Sequence, residues 1–166
     1  MDLYQVAEIE LVYKRVGKTS DRPQIKKAED AHKLLSDHWD ENKLDFIEQF
    51  KILLLNRANR VIGISDLSTG GITSTVVDPR IILVTALKAN ATSIILAHNH
   101  PSANLKPSDA DRYLTQRLTD AGKLLDIEVL DHIIVTSEGF YSFAEKCAYE
   151  KVFRSGTFFY EVAMPF

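Results

Sequence analysis

The sequence predicts an α/β protein whose mixed, largely antiparallel sheet is flanked by helices. Three observations predict it. The apolar runs 46–56 and 61–67 are separated only by the turn Arg57-Ala58-Asn59-Arg60, which is the pattern of an antiparallel hairpin. Two more short apolar runs, 92–97 and 127–135, lie on either side of a segment with helical spacing. The chain has 166 residues, 45% of them apolar and 26% charged, which is the ordinary globular mixture and enough for one domain with a real core.

Each element follows in order. Residues 6–15 alternate loosely and read as a strand, and 16–24, with Gly17, Ser20, Asp21 and Pro23, as a loop. In 25–39 the apolar positions Ala28, Ala31, Leu34, Leu35 and Trp39 recur by threes and fours among charged residues, the mark of a surface helix. A polar break at 40–43 leads to 46–56, rich in Phe, Ile and Leu and read as a buried strand. Lys51 and the turn 57–60 are expected on a solvated hairpin. Gly70-Gly71 interrupts the chain after the second hairpin strand. Pro79 suits the first turn of a helix running to about residue 89. Residues 92–97 form a central strand, 99–107 a loop, and 108–121 a helix closed by Gly122. A strand at 127–135, a turn at 137–139 and a short strand at 140–143 complete the assignable part. The last twenty residues carry Phe153, Phe158, Phe159, Tyr160 and Phe166 without clear periodicity. No internal repeat is visible. This divides the chain into an N-terminal extension of strand plus helix (1–44), a core domain (45–147) and a C-terminal tail (148–166).

Composition narrows the function classes. No apolar run approaches the roughly 18 residues of a membrane helix, and Met1-Asp2-Leu3-Tyr4 lacks the basic and apolar regions of a signal peptide. The single cysteine, Cys147, excludes an internal disulfide, and a cytoplasmic location is expected. Twenty basic against 23 acidic residues give a net charge of −3. A domain that grips phosphate backbones usually carries a basic excess, so composition does not favour nucleic acid as a partner. The oligomeric state is left open.

The chemistry concentrates between residues 98 and 111. His98-Asn99-His100-Pro101 is followed by Ser108 and Asp111. Two imidazoles and a carboxylate are the ligands a catalytic zinc uses, with a fourth position kept for water. His98 and His100 are two apart, so on extended backbone their side chains leave one face. Asp111 returns to the same point if a helix begins near Ser108, while Pro101 and Pro107 stiffen the loop between. Ser108 and Asp111 also fit a capping box, and the two roles are compatible. His132 reads either as a partner that orients a metal ligand or as a satisfied sheet histidine. His32 and His38 are expected to face solvent.

His98-Asn99-His100-Pro101-Ser102, with Pro107-Ser108 and Asp111, resembles the JAMM motif of the JAB/MPN metalloprotease superfamily, and its RadC-like branch in particular. Asp78-Pro79-Arg80, Ala86-Leu87, Leu130-Asp131-His132 and Tyr141-Ser142-Phe143 resemble the same branch, so the likeness covers about residues 45–147. It implies a cytidine-deaminase-like architecture and a Zn²⁺ ion held by His98, His100 and Asp111. It implies that Ser108 steadies the water or the developing oxyanion, and that a glutamate on an earlier strand acts as general acid and base. No Glu lies between Gln49 and Ile127, and Glu48-Gln49-Phe50 matches the family's Glu-x-Phe, which points to Glu48, with Asp66 as the fallback. A solvated strand-end glutamate is the alternative for Glu48. One departure is Pro79-Arg80-Ile81, where the branch often has Pro-Arg-Glu. The implied activity is zinc-dependent hydrolysis of peptide or isopeptide bonds on a peptide or protein substrate. The alternatives are a non-catalytic or DNA-repair-associated accessory domain, and an assembly module using the aromatic C-terminus.

Overall fold

The computed structural model describes residues 17–70 and 77–146. The strand expected at 6–15 and the aromatic-rich last twenty residues lie outside them. The elements in chain order are α1 (Ala28–Asp37), α2 (Glu41–Leu44), β1 (Gln49–Leu55), β2 (Val61–Thr69), α3 (Pro79–Lys88), β3 (Ser93–Asn99), α4 (Asp109–Leu124), β4 (Glu128–Thr136) and β5 (Gly139–Ser142). The strands form one sheet in the order β2-β1-β3-β4-β5. Only β3 and β4 run parallel; β1–β2, β1–β3 and β4–β5 are antiparallel. The parallel pair needs a crossover, and α4 supplies it.

Local sequence explains the starts of the elements. Asp78 caps α3 by accepting the Arg80 N–H at 2.9 Å, with Pro79 at the first helical position. Ser108 caps α4. The β1–β2 turn is held by the Asn56 side chain, whose oxygen accepts from the N–H groups of Ala58 (2.9 Å) and Arg60 (3.0 Å). Asn59 there takes a φ of 52°, a left-handed conformation that asparagine tolerates better than most residues.

Helices cover both faces, so β1 and β3 are buried along their whole length and read as continuous apolar runs. Alternation divides the core in two. Ala31, Leu35 and Trp39 pack on Leu53, Leu55, Ile95, Ala97 and Ile133 on one face. Ile82 of α3 and Leu118 of α4 pack on Phe50, Ile52, Leu54, Ile94 and Leu96 on the other. The first of these clusters crosses residue 45, because α1 supplies part of it. No helix among the described residues is long and apolar enough to cross a membrane.

Four expectations are corrected. The central strand does not end at Ala97: it continues through His98 and Asn99, which pair with Ile134 and Val135 of β4. Polarity suggested a loop, but ladder bonds satisfy this backbone. Gly122 does not close a helix; it lies inside α4, where a Cβ would overlap the carbonyl oxygen of Ile127. Lys51 is 5% exposed. It pairs with Asp66 and lies 5.0 Å from the centre of the Trp39 ring. His32 is half-buried and stacks on Phe140 with centroids 4.4 Å apart, and burial lowers its pKa.

Asp131 ties β5 to β4. Its Oδ1 accepts from the N–H groups of His132 (2.7 Å) and Ala144 (2.9 Å), and Oδ2 contacts the Ser142 hydroxyl at 2.6 Å. Burial raises its pKa to about 6 against the opposing pull of these hydrogen bonds, with Glu145 adding to the rise.

Two predictions follow from this packing. Alanine in an ordinary helix interior gains about 1 kcal/mol over glycine, but Gly122→Ala will destabilise the protein in urea unfolding, because the helix must move off β4. Asp131 ionises less readily folded than unfolded, so stability falls as pH rises from about 4 to about 6. Asp131→Asn keeps an acceptor and cannot ionise. Its stability relative to wild type will rise across that window by on the order of 2 kcal/mol, read by unfolding at several pH values.

Candidate metal centre

Backbone geometry brings the ligands together. His98 is the penultimate residue of β3, on the face that packs against α3 and α4. It lies opposite Phe50 of β1, and the two rings stack nearly parallel at 6.1 Å. His100 stays in register through its N–H, which donates to the Val135 carbonyl at 3.1 Å. The loop that follows turns at Ala103, whose N–H donates to the His100 carbonyl at 3.0 Å. It delivers Asp111 in the first turn of α4. The site therefore sits at the carboxyl end of a central strand, where α/β sheets commonly place theirs.

Three potential ligand atoms converge. His98 Nε2 lies 2.9 Å from His100 Nε2 and 3.2 Å from Asp111 Oδ1, and His100 Nε2 lies 3.8 Å from Asp111 Oδ2. A tetrahedral ion with bonds of about 2.0–2.1 Å needs ligand atoms roughly 3.3 Å apart, and these separations bracket that value. Among the described residues this is the group of histidine, cysteine or acidic side chains that could hold a metal.

The protons point the same way. His100 Nδ1 lies 2.5 Å from the Asn104 carbonyl, which only accepts, so Nδ1 carries the hydrogen and Nε2 turns a lone pair inward. Asp111 is a carboxylate. Burial pushes its pKa up, but the hydrogen bond and charge of His98, with two bonds from Ser108, hold it well below the usual range. Two acceptors, His100 Nε2 and Asp111 Oδ1, thus face His98 Nε2. The donor set, two imidazoles and one carboxylate, suits zinc.

The remaining candidates fall out as follows. The Ser108 hydroxyl donates to Asp111 Oδ2 at 2.7 Å and accepts the Asp111 N–H at 3.1 Å, and the Ser108 N–H also donates to Oδ2 at 2.7 Å. This capping box both starts α4 and orients the Asp111 carboxylate. Glu48 lies one residue before β1. Its carbonyl accepts the Gly70 N–H at 2.9 Å, and two residues on, Phe50 pairs with His98. Asp66 is on the other side of the sheet, paired with Lys51 against Trp39.

Two groups escaped the sequence reading. Asn99, fully buried between the histidines, accepts the Gln49 N–H at 2.7 Å and donates to the carbonyls of Leu44 (2.6 Å) and Ile47 (2.9 Å). It fixes the segment that carries Glu48. Its position within the His-x-His motif was visible, but its backbone partners, some fifty residues upstream, were not. Thr115 is the other: its hydroxyl lies 2.7 Å from His132 Nδ1, and His132 Nε2 lies 2.8 Å from His98 Nδ1. Burial above all holds His132 well below the ordinary imidazole pKa.

A family model for the RadC-like JAB domain matches residues 25–148, and the chain belongs to that family. It is 46% identical over 99 residues to a UPF0758 protein of Flavobacterium johnsoniae, covering 60% of this chain and 43% of the relative. A UPF0758 protein of Alkaliphilus metalliredigens is 42% identical over 135 residues, 80% of this chain and 57% of that one. The UPF0758 protein YfjY of Escherichia coli is 50% identical over 98 residues, 59% and 61% of the two chains. The chain spans about half the length of the curated relatives it matches. The matched family segment begins before α1, in agreement with the core that α1 shares with the sheet.

Asn99→Ala will leave the Gln49 N–H and two carbonyls without their partner. Each unsatisfied buried group costs about 1–3 kcal/mol, so the variant will lose several kcal/mol in denaturant titration. Amide exchange at Gln49 will speed up more than at Ile52 in the middle of β1.

Proposed function

We propose that the protein is a zinc-dependent hydrolase of peptide or isopeptide bonds, acting on a peptide or protein substrate. The observation that carries this reading is the convergence of His98 Nε2, His100 Nε2 and an Asp111 carboxylate oxygen on one point. Membership of the RadC-like JAB domain family supports it. When bound, a zinc ion supplies a Lewis acid that polarises a carbonyl and brings the pKa of water from 15.7 toward about 7.

The chain's own groups do the rest. His98, His100 and Asp111 would hold the ion. Glu48 takes the proton from the attacking water on its carboxylate and returns it to the leaving nitrogen, a contribution of ~10²–10⁴-fold. Asn99 keeps the Glu48 segment in place for that transfer. Ser108 offers a hydroxyl for the developing oxyanion. At rest that hydroxyl donates to Asp111 Oδ2 at 2.7 Å.

The test begins with metal content. Protein stripped with chelator and reloaded will hold about one zinc per chain by mass spectrometry, and less than a tenth of an equivalent overturns the reading. Glu48→Gln will keep that zinc. It will also lose at least a hundredfold of turnover on a quenched-fluorescent peptide library and an isopeptide-linked lysine substrate. Unchanged turnover would remove Glu48 from the mechanism.

A further inference from the structure

We infer that His132 and Thr115 are positioning residues that fix the tautomer of His98, so that its Nε2 presents a lone pair to the metal ion. The inference rests on the metal-centre reading and deepens it. An imidazole that coordinates through Nε2 must carry its hydrogen on Nδ1, and that N–H then needs a buried acceptor. His98 is 1% exposed, so water cannot serve. The group facing Nδ1 is His132 Nε2 at 2.8 Å.

Direction along the chain follows from counting donors. His132 is fully buried, its ring nitrogens face Thr115 Oγ1 and His98 Nδ1 rather than a carboxylate, and a buried cation without a counter-charge is costly, so the ring carries one hydrogen. If its Nε2 accepts from His98, the hydrogen is on Nδ1, which must donate in turn. Thr115 Oγ1 is 2.7 Å away and takes it. The hydroxyl's own hydrogen goes to the Asp111 carbonyl at 2.6 Å, an atom that accepts and never donates. Every hydrogen has an acceptor, and the series ends where it can end. The opposite direction puts the hydrogen on His98 Nε2, where it would block the ion.

The chain also closes a ring. It starts on one metal ligand, His98, and finishes on the backbone of another, Asp111, so the two are braced against each other through protein atoms alone. Ring planes are held as well: His132 stacks on Phe143 at 4.9 Å, 14° from parallel, and packs against Phe50 at 5.7 Å. This is an unusual means of orientation, since such a histidine more often donates to a carboxylate, carbonyl or water.

Zinc affinity of the full chain, measured by competition with a chromophoric chelator, tests the inference without relying on turnover. His132→Phe keeps the stacking and removes the acceptor, and it will weaken zinc binding by about 10–100-fold. His132→Gln, whose amide reaches the same point, will recover part of the loss. Thr115→Val will weaken binding and Thr115→Ser will restore it, which a merely space-filling role would not produce. Nitrogen-15 shifts of the zinc-loaded wild-type protein will show His132 protonated on Nδ1 and bare on Nε2. The reverse tautomer, or a His132→Phe variant that binds zinc as tightly as wild type, overturns the inference and leaves the metal centre standing. A wild-type protein that binds no zinc overturns both.

Discussion

The extended backbone from Ser93 to His100, laddered to β1 on one side and β4 on the other, is the constraint on which the rest of the molecule depends. Burial on both faces gives it no freedom to shift, because a slip of one residue would exchange the two core clusters. The same period that sends Ile94 and Leu96 into one core sends His98 and His100 to the same side. The placement of the two imidazoles on one face is thus inherited from core packing.

Asn99 and His98 divide the work of this strand end. Their side chains leave opposite faces. His98 reaches Asp111 and His132, while Asn99 holds the backbone of residues 44, 47 and 49. One short stretch of chain therefore secures both the ligand set and the segment bearing Glu48. Buried polar groups of this kind are tolerable only when fully bonded, and Asn99 engages both its oxygen and its amide nitrogen.

Much of this was legible beforehand. The hairpin showed in the apolar runs on either side of residues 57–60, α3 in Pro79, and the ligands in the spacing of His98, His100 and Asp111. What was not legible depends on residues distant in sequence. Polarity at His98 and Asn99 concealed two strand positions, since a polar residue paired by neighbouring strands looks like a loop residue in one dimension. Gly122 has the composition of a helix end, yet it answers to a carbonyl on the far side of a turn. Lys51 looked solvated because its partners, Asp66 and Trp39, come from the second hairpin strand and the segment after α1. Thr115 carried no signal at all, because a threonine in a helix gives no hint of which histidine it will meet.

The close approach at Gly122 has a mechanical corollary. The last turns of α4 abut the chain entering β4, while its first turn carries the aspartate, so the helix acts as a rod clamped at its distal end. A substitution that levers that distal end outward would tilt the near end and draw the Asp111 carboxylate away from the nitrogens of His98 and His100. The residue with no side chain thereby sets a tolerance for the spacing between Asp111 and the two histidines at the other end of the helix.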